Sequence, residues 1–314
     1  MKRSIVVLAC AVLLFSGSAA AEQDTCRNVR MGLVSWTDVI ATSAIADVLL
    51  QGLGYQVKQT RAAQQIIFSG LRDDRLDVFL GYWSPLMDNN IRPFVEKRQV
   101  RVLDRPSLPD AQATLAVPDY VYAGGLRTFA DIAKYQDQLD GKIYGIEPGT
   151  GANKGINRII AENRFGLGQF RLVESGEAGM LTAVRRAIKR QDWIVFFGWK
   201  PHPMNLDIPM NYLSGSEGVY GPDEGRATVS VVTAPDYAQR CPNVERLLNN
   251  LTFSAEQESR LMAPIMAREA PEKVARDWLQ AHPEDLERWL DGVTTFDGQD
   301  GRAAVRNSLD QTTD

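Results

Sequence analysis

Three tryptophans stand in short segments that place an aromatic ring beside Gly, Pro, Ser or Asp. The segments are Ser35-Trp36-Thr37-Asp38, Gly81-Tyr82-Trp83-Ser84-Pro85 and Gly198-Trp199-Lys200-Pro201. A quaternary ammonium group carries no N–H, so proteins bind it with aromatic π faces and a nearby carboxylate, at about 0.5–2 kcal/mol per contact. The sequence therefore predicts an aromatic cage formed by Trp36, Trp83 and Trp199, the cage tryptophans. Asp38 is the candidate counter-charge.

Each of these residues also has an ordinary structural interpretation. Tryptophans are highly buried on average, and we expect a core role for Trp193 inside a strand and for Trp278 and Trp289 on apolar helix faces. Asp38 is equally suited to be the N-cap of the helix that follows it. The cage interpretation is favoured because all three cage tryptophans fall at the ends of predicted strands.

Short β-rich runs alternate with helical runs along the chain, a pattern that predicts parallel sheets with crossover helices. The predicted strands cover residues 29–34, 55–60, 76–81, 142–146, 172–173, 193–197 and 227–232. The predicted helices cover residues 42–53, 62–71, 151–163 and 176–190, and a mostly helical segment follows the last strand. The alternation therefore describes two separate α/β units.

A chain of 314 residues exceeds the usual single-core domain. We expect an α/β fold of two lobes with a hinge, in which residues 22–112 and 213–314 form lobe I and residues 113–212 form lobe II. Ligands of open α/β sheets bind beyond the carboxyl ends of strands, where the cage tryptophans are predicted to lie. The cage is therefore expected in an interlobe cleft that closes around its ligand.

The N-terminus has the pattern of a secretory signal peptide. Lys2 and Arg3 precede an apolar run from Ile5 to Phe15, and small residues follow up to Ala21. The run is about 11 residues long, whereas a membrane-spanning helix needs roughly 20. We therefore expect export to the periplasm with cleavage near Ala21, and not a membrane anchor.

Two cysteines, Cys26 and Cys241, remain after such cleavage. In an oxidising compartment a distant pair of this kind favours a disulfide over a metal site or a nucleophile. Removing Lys2 and Arg3 from the 35 basic residues leaves 33 against 39 acidic ones. This acidic balance indicates no nucleic-acid partner.

The sequence gives little support to an enzyme. The only histidines are His202 and His282, and neither has a second histidine or cysteine at metal-ligand spacing. A structural role in the Pro-His-Pro loop is the favoured interpretation of His202. No Gly-x-Ser-x-Gly motif occurs, and the segment 149–151 lacks the lysine spacing of a phosphate-binding loop. We therefore expect neither catalysis nor a metal or other cofactor.

Longer motifs carry a resemblance to one protein family. They are the Gly-x-x-Ser-Trp-Thr-Asp motif that ends at Asp38 and the runs 77–83, 141–149, 197–205 and 241–244. Over nearly the whole mature length the chain resembles the periplasmic choline-binding proteins of ABC transporters. The resemblance implies a type II periplasmic binding protein fold, a cage built from the cage tryptophans and supported by Asp38, and a Cys26–Cys241 disulfide. It also implies a monomer whose partners are an ABC permease and ATPase in the inner membrane.

Three positions depart from the family pattern. Where choline binders have a fourth cage aromatic, a tyrosine before Thr-Leu-Ala, this chain has Ala113. Where they have an asparagine that serves the choline hydroxyl, after Glu-Pro-Gly, this chain has Thr150. Where they carry an acidic residue after the last cage tryptophan, this chain carries Lys200. One wall of the cage and its polar end are therefore changed.

These departures favour a longer ligand that bears a carboxylate. Ala113 opens volume, and Lys200 or Lys154 adds positive charge near a helix N-terminus, which itself favours anions. Carnitine has that shape, so we favour it over glycine betaine and choline. Alternatively, Lys200 points to solvent and Tyr82 fills the space at Ala113, and choline remains a candidate. Residues expected to contact the ligand less directly are Tyr82, Ala113, Gly149, Asn153 and Lys200.

The resemblance favours a substrate-binding protein of an ABC transporter that captures a small quaternary ammonium compound. A ligand-presenting adaptor for a membrane chemoreceptor would share the same cleft, and only its protein partner would differ. A gene position beside a permease and an ATPase would favour transport over sensing.

Overall fold

The computed structural model describes residues 22–311. The expected signal peptide, residues 1–21, therefore lies outside the described residues. The strands are β1 (Asn28–Leu33), β2 (Gln56–Arg61), β3 (Val78–Ser84), β4 (Arg101–Val102), β5 (Leu108–Pro118), β6 (Lys142–Tyr144), β7 (Arg171–Val173), β8 (Phe196–Lys200), β9 (Met210–Tyr212) and β10 (Arg226–Thr233).

Helices lie between these strands and in the C-terminal part of the chain. They are α1 (Thr37–Gly52), α2 (Gln64–Arg72), α3 (Asp88–Glu96), α4 (Asp119–Ala123), α5 (Gly151–Ala161), α6 (Glu177–Arg190), α7 (Met204–Asp207), α8 (Pro222–Gly225), α9 (Tyr237–Arg240), α10 (Pro242–Asn250), α11 (Ala255–Met266), α12 (Pro271–Ala281), α13 (Pro283–Trp289) and α14 (Gly301–Asp310). Short 3₁₀ helices span Asp24–Cys26, Phe129–Tyr135 and Arg164–Gly166.

The strands form one curled sheet in the order β2-β1-β3-β10-β5-β8-β6-β7, to which β4 and β9 add short pairings. β1 is parallel to β2 and β3, and β6 is parallel to β7 and β8. β10 and β5 lie between these two parallel groups and run antiparallel to their neighbours. The two predicted parallel α/β units are therefore confirmed. We call the β1–β3 side with its helices the first half of the molecule and the β6–β8 side the second half.

Strand β5 connects the two halves, and the sequence pattern did not predict it. Pro109, Asp110 and Gln112 interrupt its apolar run, and such residues weaken a strand assignment. Its second part is buried and pairs with β8, with Ala113 opposite Trp199. The pairing places a small side chain directly beside a cage tryptophan.

Helix α1 begins at Thr37 rather than at the predicted residue 42. Trp36 is the N-cap residue, in extended conformation, and its side chain makes no capping hydrogen bond. The first N–H of the helix is capped instead by a side chain of the second half: the Thr37 N–H donates to Glu177 Oε2 at 2.9 Å. The interpretation of Asp38 as the N-cap is therefore wrong, since Asp38 lies in the first turn of the helix.

Strand β8 spans Phe196–Lys200 rather than 193–197. Its register is set by pairing with β5, a contact between distant parts of the sequence. Trp193 consequently precedes the strand and packs against Tyr135, with ring centroids 4.7 Å apart. Trp199 lies within the strand instead of following it.

Most of α1 is buried, because the helix packs against the sheet on one side and against α11, α12 and α14 on the other. A helix that is apolar nearly all round suits such a position. Trp289 is fully buried in this core and Trp278 packs against it, as predicted for both. The expected disulfide joins Cys26 to Cys241, with Cα atoms 5.5 Å apart. Within residues 22–311, no helix has the length and apolar character needed to cross a membrane.

Replacing both cysteines by serine is expected to lower the free energy of unfolding by about 2–4 kcal/mol. The bridge joins residues 215 positions apart, and removing it returns conformational entropy to the unfolded chain. Urea denaturation of the oxidised wild type and the double variant measures the difference. Equal unfolding free energies would show that the bridge contributes no net stability.

Candidate ligand-binding site

Trp36 and Asp38 enter the site from the start of α1. Both side chains are buried, with 7% and 3% of their surface exposed. The Trp36 indole N–H donates to Glu147 Oε2 at 2.9 Å, a bond that crosses between the two halves. Asp38 Oδ2 accepts the Trp83 indole N–H at 2.9 Å. Asp38, the predicted counter-charge, therefore orients the Trp83 ring.

Trp83 lies near the end of β3 and is 5% exposed. The chain then turns into α3, and this turn places Leu86 and Met87 beside the ring. The Trp83 backbone N–H lies 3.2 Å from Met87 Sδ, which holds the turn close to the strand. Two apolar side chains that the sequence interpretation did not include therefore complete this wall.

Trp199 supplies the wall from the second half and is 4% exposed. Its ring stacks on Phe197 with centroids 5.8 Å apart and meets the His202 ring edge-on at 4.7 Å. Ala113, 1% exposed, lies opposite Trp199 on the neighbouring strand. The indole is therefore held by rings on its own chain segment and faces no bulky residue at position 113.

Thr150 is the N-cap residue of α5, and its hydroxyl oxygen accepts the Asn153 backbone N–H at 3.3 Å. The Asn153 side chain is buried and bonds to both backbone groups of Ile146, as acceptor at 2.9 Å and donor at 2.8 Å. It also donates to Glu174. Asn153 therefore fixes the loop before α5, while Thr150 reaches the cavity wall.

These elements line a cavity of about 30 Å³ between the two halves. Its lining residues are Trp36, Asp38, Trp83, Leu86, Met87, Ala113, Ile146, Thr150, Gly151, Ala152, Phe197 and Trp199. Within this lining, which belongs wholly to the described part of the chain, Asp38 is the one titratable residue. The cavity is therefore an apolar, aromatic space with a single carboxylate in its wall.

Four residues predicted to contact the ligand less directly do not line this cavity. Tyr82 donates its hydroxyl to Asp88 at 2.6 Å and does not fill the space at Ala113. Lys200 is exposed, with its ammonium nitrogen 5.1 Å from the Tyr212 ring centroid. Gly149 lies in the adjoining part of the cleft. The Asn153 side chain bonds to the backbone of Ile146 and does not reach the cavity. Lys154 is exposed on α5.

Carboxylates of the second half bind the start of α1. Glu147 Oε1 accepts the Ser35 hydroxyl at 2.8 Å, in addition to the Trp36 bond. Glu177 accepts both the backbone N–H and the hydroxyl of Thr37, the latter at 2.5 Å. Asn90 of α3 also donates to the Gly149 carbonyl at 3.3 Å. These bonds hold the two halves together around the cavity.

His202 connects the cage to these interhalf contacts. It is 1% exposed, and its Nδ1 accepts the Met204 backbone N–H at 2.9 Å. The ring proton therefore lies on Nε2, which donates to Glu177 Oε1 at 3.2 Å. His202 thus supports both Glu177 and the Trp199 ring, in keeping with the predicted structural role.

The sequence interpretation missed Glu147 and Glu177 as contacts across the cleft. For Glu177 a signal existed in the chain, because it lies in the first turn of a predicted helix, where carboxylates are favoured. Glu147 precedes the next predicted helix by four residues and carries no such signal. What no local pattern shows is that both side chains reach a different helix. Leu86, Met87 and Ile146 are ordinary apolar residues in the sequence, and nothing distinguishes them before the chain folds.

Burial raises the pKa of the Asp38 carboxyl from 3.8 to about 7, and the negative charge of Glu177 adds to the increase. The Trp83 indole N–H opposes this shift by donating to the carboxylate. A cation in the cavity would stabilise the ionised form of Asp38. The site is therefore suited to a positively charged group with an apolar surface.

Comparison with known proteins gives the family. A family model described as OpuAC, the substrate binding domain of ABC-type glycine betaine transport system, matches residues 27–281. The chain belongs to this family. Its members are periplasmic substrate-binding proteins that serve transport and are not enzymes.

Solved structures and a curated relative agree with this assignment. An ABC-transporter choline binding protein in complex with choline is 44% identical, with a TM-score of 0.90 over 92% of this chain and 100% of that one. A choline binding protein in an unliganded semi-closed conformation is also 44% identical, with a TM-score of 0.84 over 91% and 99%. The glycine betaine/carnitine transport binding protein GbuC of Listeria monocytogenes is 26% identical over 164 residues, 52% of this chain and 54% of that protein. The predicted two-lobed fold is confirmed, so the first and second halves are called lobe I and lobe II below.

For this OpuAC-family protein, we expect the affinity for an organic cation to rise with pH up to about pH 7 and then level off. The ionised Asp38 carboxylate would attract the cation, whereas the protonated form, which predominates below its pKa of about 7, would not. Between pH 8 and pH 6 the affinity for choline should fall about 10-fold. Isothermal titration calorimetry measures it, because choline itself does not titrate in this range.

Asp38→Asn is the control for this prediction. It keeps an oxygen that can accept the Trp83 indole N–H but removes the charge. The variant should bind choline weakly at every pH. A pH dependence that persists in this variant would assign the titration to another group.

Proposed function

We propose that this protein captures a quaternary ammonium compound in the aromatic cavity between its lobes and delivers it to the permease of an ABC transporter. The observation that carries the proposal is the meeting of Trp36, Trp83 and Trp199 around one apolar cavity with Asp38 in its wall. Indole faces and one carboxylate are the groups that recognise a cation without N–H donors. The choline complex and GbuC support this ligand class by their descriptions.

Within this class we propose carnitine as the favoured ligand, before glycine betaine and choline. Ala113 lies opposite Trp199 and places no bulky side chain at this position, so the cavity can extend past the ammonium head. Thr150 offers a hydroxyl at the lobe II wall. Lys200 is left out of the proposed contacts, because its ammonium group lies over Tyr212.

Capture proceeds by closure of the two lobes. In the open form the ammonium head would rest against Trp36 and Trp83 of lobe I, and closure would bring Trp199 and Thr150 of lobe II onto it. Closure also forms the bonds of Glu147 and Glu177 to the start of α1. A cation bound to both lobes favours the closed form because it contacts all of its walls only there.

The remaining parts of the proposal concern the whole protein. Lobe I comprises residues 22–112 and 213–314, and lobe II comprises residues 113–212. A signal peptide cleaved near Ala21 directs a monomer to the periplasm, where it meets an inner-membrane permease and ATPase. Mass spectrometry of the exported protein measures the cleavage site directly.

Trp199→Ala is expected to weaken binding of the quaternary ammonium ligand about 10- to 100-fold, because it removes one cation–π contact and the wall behind the head. Isothermal titration calorimetry with carnitine, glycine betaine and choline measures the loss. Trp193→Ala is the matched control, since that tryptophan packs on Tyr135 and not on the cavity. Unchanged affinity in Trp199→Ala, or an equal loss in both variants, would contradict the cage.

Ala113→Tyr combined with Thr150→Asn should move the preference from carnitine toward choline. The tyrosine adds a fourth aromatic wall beside Trp199, and the asparagine adds an amide near the polar end of the ligand while remaining a good N-cap for α5. The measured quantity is the ratio of the dissociation constants for carnitine and choline. A ratio equal to that of the wild type would refute the assignment of selectivity to these two positions.

A further inference from the structure

The cavity between the lobes has a further aromatic residue in its wall besides the cage tryptophans. Phe197 lines it together with Trp199. Phe197 is 3% exposed, beside 4% for Trp199 and 5% for Trp83, so it is about as accessible as the two tryptophans. It lies two positions before Trp199 in β8, and residues at that spacing point to the same face of a sheet. The β8 wall of the cavity therefore contains two aromatic side chains.

The size of residue 113 determines whether Phe197 is covered by its neighbour on β5. Ala113 pairs with Trp199, and Leu115 pairs with Phe197. Ala113 is therefore the diagonal neighbour of Phe197 on the same face of the sheet. Diagonal neighbours are about 7–8 Å apart, a distance that an aromatic side chain spans and a methyl group does not. The Ala113 methyl group consequently does not cover the Phe197 ring.

Neighbouring rings hold Phe197 in place. Its ring lies at 29° to that of Trp199, with centroids 5.8 Å apart, and at 57° to that of Tyr220, with centroids 5.6 Å apart. The Tyr220 hydroxyl donates to the carbonyl oxygen of Ala152, a residue of α5 that also lines the cavity, at 3.1 Å. A side chain fixed in this way loses little conformational freedom when a ligand binds.

The chemistry of this wall suits the alkyl surface of a cation. A phenyl ring has a negative π face that attracts positive charge and a hydrocarbon surface that packs against methyl groups. The side chains of Ala113, Phe197 and Trp199 contain no hydrogen-bond acceptor. An N–H group turned toward them would find no side-chain partner, whereas an N-methyl group needs none.

We propose that Phe197 binds the ammonium head as a fourth aromatic wall of the cage, in the place that the small side chain of Ala113 leaves open. The inference rests on the proposed function and deepens it, because it assigns to lobe II the recognition of a head that is fully alkylated on the side facing β8. It also makes positions 113 and 197 interdependent, since a ring at position 113 would take over the contact.

The test is a titration of choline and carnitine, which share the trimethylammonium head, by calorimetry at pH 8. Phe197→Leu keeps an apolar side chain and removes the π face, and a trifluorinated phenylalanine in place of Phe197 keeps the ring but weakens its negative face. Phe129→Leu is the matched control, because that buried ring packs on Tyr220, with centroids 6.3 Å apart, and does not line the cavity. Phe197→Leu is also made in the Ala113→Tyr background.

We expect Phe197→Leu to weaken both ligands about 3- to 10-fold and the fluorinated ring to weaken them about 2- to 5-fold. Phe129→Leu should change either affinity by less than about 2-fold, and so should Phe197→Leu when Ala113→Tyr is already present. Thermal unfolding without ligand checks each variant. If Phe197→Leu does not fold, the fluorinated ring decides the role of Phe197 by itself.

Three results would overturn the role of Phe197 and leave the tryptophan cage intact. They are unchanged affinity with the fluorinated ring, unchanged affinity in Phe197→Leu, and a loss in Phe129→Leu equal to that in Phe197→Leu. A full loss from Phe197→Leu in the Ala113→Tyr background would overturn the interdependence of the two positions. Binding of neither ligand to the wild type would refute the proposed function itself.

Discussion

The carboxylates of Glu147 and Glu177 cross the cleft to the first residues of α1, and the geometry of the cage depends on these bonds. Glu177 accepts the Thr37 N–H and hydroxyl, and Glu147 accepts the Trp36 indole N–H. A carboxylate at a helix N-terminus is stabilised by about 0.3–1 kcal/mol, and by up to about 2 kcal/mol when partly buried. Because both acceptors belong to lobe II, contacts between the lobes hold the start of α1. The start of α1 in turn determines where the Trp36 and Asp38 side chains lie in the cavity wall.

The charge balance of the cavity follows from the same arrangement. Asp38 is buried next to the negative charge of Glu177, which is why its pKa rises to about 7. A buried carboxylate without a cation is costly, and the single indole bond from Trp83 offsets only part of that cost. A quaternary ammonium head would supply a positive charge beside Asp38, and its methyl groups would cover the apolar walls. On the proposed function, protons and ligand would compete for this carboxylate, and the aromatic rings would select which cations fit.

The sequence predicts features that short segments determine, and it fails for features that depend on contacts between distant residues. The parallel α/β units and the position of Trp36 after β1 follow from periodicity within short segments, whereas Trp83 lies inside β3 and not after it. The start of α1 does not follow from such periodicity, because its capping acceptor lies 140 positions away at Glu177. Strand β5 escaped prediction because Pro109 and Asp110 lie within it, although pairing with β8 and β10 holds it in the sheet. The direction of Lys200 depends on Tyr212 of β9, which joins the sheet through β5.

The central claim is that the cage recognises positive charge and not merely apolar bulk. Titration calorimetry at pH 8 with choline and carnitine, each beside its carbon isostere in which a tert-butyl group replaces trimethylammonium, tests it most directly. For choline the isostere is 3,3-dimethylbutan-1-ol, which has the same shape and no charge. Three aromatic contacts at about 0.5–2 kcal/mol each, with Asp38 ionised, predict that the ammonium compound binds at least about 10-fold more tightly. Equal affinities within each pair would contradict the claim and leave the cavity as a simple hydrophobic pocket.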